Sequence, residues 1–145
     1  LAAAALWVQG ENPLILDLKT VRPDFDHVVT LFKRGGYWGA ISKTNHSVLR
    51  YRDPIYKTLR ELALSYFHEY FLANGKKTLR SFSQPFDLSK VKTNWFTTEE
   101  NLADLAHLLD QSPHALLVSP KQIRNLRKTE RIERDASNLT EWSDN

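Results

Sequence analysis

Two residue types are missing from the 145-residue chain, cysteine and methionine. Without cysteine there is no disulfide framework, no thiolate metal site and no thiol nucleophile, so the chain as it stands cannot be a thiol enzyme on its own residues. Methionine is absent even at position 1, where a leucine stands. The expectation from this is that Leu1 lies inside a longer product. Long apolar runs are also missing. Leu1 to Val8 is apolar but halts at Gln9-Gly10-Glu11, whereas a membrane helix needs roughly 20 such residues. No basic stretch precedes the run, as it would in a signal peptide. No membrane association is expected, and the cytoplasm is the default compartment.

Charge of one sign is barely in excess, at +3 overall. A nucleic-acid binder carries a denser one-sided basic stripe. Gly-rich phosphate loops, zinc-ligand spacing and aromatic RNA-binding motifs are absent as well. Nothing in the chain calls for a cofactor, and no metal is expected.

What is present is an ordinary globular composition, 41% hydrophobic and 26% charged, long enough for one domain with a real core. The Ala-rich start reads as a helix over 1–8, stopped by Gly10 and Pro13. Leu14 to Leu18 reads as a buried strand. Polar residues 20–26, with Pro23, form a loop. His27 to Lys33 is β-branched and aromatic, Arg34-Gly35-Gly36 is a tight-turn signal, and Tyr37 to Ser42 continues as a strand. Residues 27–42 are therefore expected to form a β-hairpin. Gly39 within it marks a bulge or a close backbone approach.

Asp53 and Pro54 read as the cap and first turn of a helix over about 54–73, with Ile55, Leu59, Leu62, Ala63, Tyr66, Phe67 and Tyr70 on its apolar face. Thr78 to Phe82 alternates like a short strand. Thr97 or Thr98 is expected to cap a helix to about 110, with Glu99 and Glu100 in its first turn. Ala115 to Val118 is a short apolar run of open type. A last helix is expected from Pro120 to about 134, followed by a frayed tail over 135–145. The fold class is thus α+β: an antiparallel sheet packed on helices, in one domain over 1–134.

His27 opens a strand directly after Asp26, so a cleft-facing imidazole could be held rigidly there, as a general base requires. Residue type alone equally allows a surface histidine bonded to Asp26. The order of elements resembles the transglutaminase-like thiol superfamily: an Ala-rich helix, a Gly turn, a strand, and then a His heading a hairpin that ends in an aromatic-Trp-Gly strand. Asp26-His27-Val28, Tyr37-Trp38-Gly39-Ala40-Ile41-Ser42-Lys43 and Arg50-Tyr51-Arg52-Asp53-Pro54 are similar to a bacterial branch of that superfamily.

The resemblance implies a transglutaminase-like core lacking its N-terminal part, with a peptide or amide as substrate. It makes His27 the catalytic His and the 1–8 helix the body of the helix that bears the cysteine, which would lie a few residues before Leu1. The family also expects an Asp or Asn on the following strand to orient the His. Asn45 is the candidate, Asp53 a more distant one, and Lys43 the nearest by count but of the wrong chemistry. The rival readings are a binding or scaffold domain of the same fold without chemistry, and nucleic-acid contact through Lys121, Arg124, Arg127, Lys128, Arg131 and Arg134. Glu130 and Glu133, interleaved with these bases, suit a solvated, ion-paired face instead. His46, beside Asn45, reads as a member of the site or an exposed residue, His68 and His107 as helix-surface or half-buried residues, and His114 as part of a loop.

Overall fold

The structure is a computed structural model and describes residues 1–92, 94–98 and 102–142. One antiparallel sheet organises it. The strands are β1 (Leu14–Thr20), β2 (His27–Arg34), β3 (Tyr37–Ile41), β4 (Tyr51–Tyr56), β5 (Leu79–Ser83), β6 (Phe86–Asp87) and β7 (His114–Leu116). They lie in the order β4-β3-β2-β1-β5-β7, with β6 also paired to β1. The helices are α1 (Ala2–Val8), α2 (Leu59–Leu64), α3 (Ala103–Asp110), α4 (Pro120–Arg124) and α5 (Arg131–Ser137). The chain is therefore α+β with an open antiparallel sheet.

The hairpin of β2 and β3 turns on Gly35 and Gly36, both at positive φ. This is the backbone that a two-residue turn needs to match strand twist. Gly39 serves both purposes expected of it. A Cβ there would lie 2.3 Å from the Phe32 ring and 2.8 Å from the Arg52 carbonyl, and the pairing of β3 with β4 shifts register between Trp38 and Ala40.

Side chains alternate across the sheet, and the register assigns the two faces. Leu16 pairs Val29, Leu18 pairs His27 and Leu31 pairs Ala40. This face carries the main core, where Leu62, Ala63, Tyr66, Phe67 and Tyr70 cover the strands. The opposite face shows Ile15, which packs with Ala3 of α1, Leu88, Trp95 and Leu109 of α3.

Several expectations are corrected. The helix expected over 54–73 is only α2 and a 3₁₀ turn at Phe67–Glu69. Residues 51–56 are instead the edge strand β4, where Pro54 is tolerated because an edge need not donate on its outer side. Ile55, assigned to the core, is 66% exposed. The helix begins at Thr58, whose side chain accepts from Glu61 N–H while Glu61 caps back. The helix expected over 120–134 is two helices, each opened by its own capping box, Ser119 with Gln122 and Glu130 with Glu133. The helix expected from about 98 starts at Ala103, and neither Thr97 nor Thr98 caps it. Glu99 and Glu100 lie outside the described residues. Residues 135–142, expected to fray, complete α5 and pair through Thr140 with His46.

No helix among the described residues is long and apolar enough to cross a membrane.

Candidate functional site

His27 opens β2 and faces the α2 side of the sheet, in register with Leu18. Ser42 follows β3 on the same side, with its N–H donating to the Arg50 carbonyl at 2.8 Å. The two side chains meet there: His27 Nε2 lies 2.5 Å from Ser42 Oγ. The Tyr70 ring packs beside the imidazole, with centroids 6.1 Å apart. Burial pushes the His27 pKa down, and the charge of His46 adds to the shift. Burial thus favours the neutral ring, and one of its nitrogens contacts a buried hydroxyl.

Asp26 does not bond His27. Its carboxylate accepts from Thr20 N–H at 2.7 Å and Thr20 Oγ at 3.2 Å. Asn45 is also engaged elsewhere. Its Nδ2 donates to the Trp142 carbonyl at 2.9 Å, and its Oδ1 accepts from Trp142 N–H at 3.0 Å. Among the described residues no hydrogen bond joins Asn45 to His27. Asp53 is exposed on β4. The group that touches the imidazole is Ser42, one residue before the Lys43 that the count favoured.

His46, read as exposed or as part of the site, is half-buried, and its Nδ1 donates to the Ser137 carbonyl at 3.1 Å. It helps to wall a cavity of about 160 Å³ with Asp24, Glu69, Tyr70, Ser137 and Asn138. Asp24 accepts a short hydrogen bond from Thr78, and Glu69 accepts from Ser137 Oγ at 3.3 Å. The Tyr70 hydroxyl is buried without a partner, and burial raises its pKa. Tyr66 is raised to about 12 for the same reason, and Arg52 stacks on its ring at 4.0 Å.

The start of α1 lies at the same end of the sheet as His27 but over the other face. Leu1 and Ala2 line a cavity of about 270 Å³ with Val28, Thr30, Ile41 and Lys43. Val28 follows His27 directly and so points away from it.

A second polar cluster escaped sequence reasoning. Asp17, at the centre of β1, is 2% exposed. Its Oδ2 lies 3.0 Å from Nε2 of His114 on β7, and His114 Nδ1 lies 2.7 Å from the Ser112 carbonyl. Burial pushes the Asp17 carboxyl up, and the hydrogen bond from His114 opposes this. Asp17, Asp26 and Asp110 bring carboxylate oxygens within 4.8 Å of one another. Lys19 offsets part of that charge, 2.6 Å from Asp110 and 3.6 Å from Asp26. One signal in the sequence could have pointed here: a carboxylate in the middle of an apolar strand must find a partner.

The other histidines are peripheral. His68 is exposed, and His107, also exposed, contacts Gln111 along α3. The basic C-terminal residues are partly ion-paired, Arg127 with Glu133 and Arg131 with Asp135.

No family model matches this sequence, and no curated protein matches it.

Proposed function

We propose that this chain supplies the acid–base half of a transglutaminase-like thiol site acting on amide or peptide bonds, with His27 as the base. The observation that carries the reading is the 2.5 Å contact between His27 Nε2 and Ser42 Oγ on a partly buried ring whose neutral form burial favours. A base of this kind must be fixed in direction and unprotonated near neutral pH. Ser42 takes the orienting part for which the family's Asp or Asn was expected. These 145 residues contain no cysteine, so this reading requires a thiol supplied from outside them.

In this reading His27 takes the thiol proton as sulfur attacks the amide carbon. It returns that proton to the departing nitrogen as the C–N bond breaks, leaving an acyl-thiol. Water or an amine then attacks the acyl carbon while His27 accepts its proton, and sulfur leaves.

The opposite-face placement of α1 favours a second reading, a binding domain of the same fold without chemistry. Trapping separates the two. The protein from the complete reading frame is incubated with amide and ester acyl donors and examined by intact mass. An acyl adduct on a cysteine, lost in His27→Ala, supports the enzyme. A complete reading frame that encodes no cysteine close to α1 overturns it.

A further inference from the structure

The residues after α5 do not trail into solvent. Ser47 N–H donates to the Leu139 carbonyl and Glu141 N–H to the Asn45 carbonyl, each at 3.2 Å, forming a short antiparallel bridge centred on His46 and Thr140. Asn45 holds the Trp142 backbone through both ends of its amide. Arg50 pairs with Glu141, and His46 donates to the Ser137 carbonyl. Every one of these attachments falls on the loop over 43–50, the segment that directly follows Ser42.

Apolar burial does not hold this segment. Leu139 and Trp142 are 65% and 70% exposed. The attachments are polar and mostly at the surface, where each contributes little net stability. A segment fastened in this way opens far more often than the sheet beneath it unfolds.

Its position matters because of what it closes. Ser137 and Asn138 wall the cavity that His46, Tyr70, Asp24 and Glu69 complete, and Tyr70 is the aromatic neighbour of His27. While the segment is engaged, both polar ends of the Asn45 amide are used up, and His46 is tied to the strap.

We propose that residues 137–142 form a strap that closes the His27 side of the sheet, and that its release opens that side and frees Asn45. The inference rests on the reading of His27 as the reactive residue only for its bearing on activity. Its structural claim stands by itself.

Glu141→Pro tests it in the full chain, since one exposed substitution removes both the N–H given to Asn45 and the carboxylate paired with Arg50. Arg50→Ala is the milder second variant. The readouts are the rate of carbethoxylation of each histidine by diethyl pyrocarbonate, measured by peptide mass spectrometry, and amide exchange over 43–50. His107, exposed and distant on α3, is the internal reference. The expected result is faster exchange over 43–50 with a rise of about fivefold in His27 modification, equivalent to an opening equilibrium moved by about 1 kcal/mol, and a smaller rise in Arg50→Ala. Faster exchange over 43–50 with an unchanged His27 rate overturns the gating, and unchanged exchange in Glu141→Pro overturns the strap itself. Greater His27 access in a complete protein that forms no acyl adduct supports the strap while sinking the enzymatic reading.

Discussion

His114 Nε2 lies 3.0 Å from Asp17 Oδ2 across 97 residues of sequence, while its Nδ1 lies 2.7 Å from the Ser112 carbonyl. A carbonyl only accepts, so Nδ1 carries a proton. The Asp17 contact then needs another, shared between ring and carboxyl. The pair is thus one proton richer than a neutral imidazole beside a carboxylate. It ties the edge strand β7 to the central strand β1, on the sheet face opposite the main core.

Removing Asp17 leaves partly buried His114 with the Ser112 carbonyl as its remaining hydrogen-bond partner. Asp17→Ala is expected to cost about 1–3 kcal/mol, read as a lower midpoint in urea unfolding. Asp17→Asn, which keeps a hydrogen-bonding side chain of the same size, should cost less. A loss under 1 kcal/mol in Asp17→Ala would mean that the pair contributes little to the fold.

Stability should also depend on pH through His27. Its folded pKa is lowered, by burial first and by the charge of His46 second, so the unfolded chain binds the proton more tightly. The contribution is fully present above the unfolded imidazole value of about 6.5 and is lost as pH falls through the lower folded value. The melting temperature should decline on acidification below that pH, and the decline should be shallower in His27→Gln. Asp17 works with the opposite sign. Its raised folded pKa favours folding at low pH, and that contribution fades as pH rises through the folded value. Comparing Asp17→Asn with the parent chain separates the two.

Gly39 gives a packing test. A methyl group at this position would meet the Phe32 ring and the Arg52 carbonyl well inside contact distance. Gly39→Ala should destabilise by about 1–3 kcal/mol. Phe32→Leu in the same background should recover part of the loss, because the ring is the nearer obstacle. Equal costs in both backgrounds would place the strain on the backbone of β4 instead.

In the proposed reading Ser42 positions the His27 ring, so its loss should affect kcat more than KM in the complete protein. Ser42→Ala is expected to lower kcat about tenfold, against 10² or more for His27→Ala. It should also displace the acidic limb of the pH–rate profile. Ser42→Asn, which restores a polar contact to the ring, should recover part of the rate. A Ser42→Ala variant with an unmoved pH profile would show that the hydroxyl only fills space.

The sheet was readable where one local rule decided the outcome. The hairpin followed from β-branched residues flanking Gly35-Gly36, and α1 from its alanines and Gly10, which sits at φ 86° just past the helix. Asp53-Pro54 misled because the same pair that opens a helix also fits an edge strand, and only pairing with β3 distinguishes them. The better signal was Thr58 with Glu61, a capping box three residues apart. The two boxes at Ser119 and Glu130 likewise divided a stretch whose charges read as one helix. At the candidate site His27 was legible because it begins a strand. Ser42 was not, since a serine at the end of an apolar strand carries no chemical signature of its own. The Asp17–His114 pair and the hold of Asn45 on Trp142 depend on tertiary pairings far apart in the chain, which no local pattern encodes.

The central claim, that His27 is the base for a thiol, is tested most directly by the pH dependence of cysteine alkylation in the protein from the complete reading frame. With His27 paired to the thiol, iodoacetamide should react at pH values below the ordinary thiol pKa of about 8.5, and His27→Ala should return the profile to that range. A cysteine whose profile is the same with and without His27 would contradict the account.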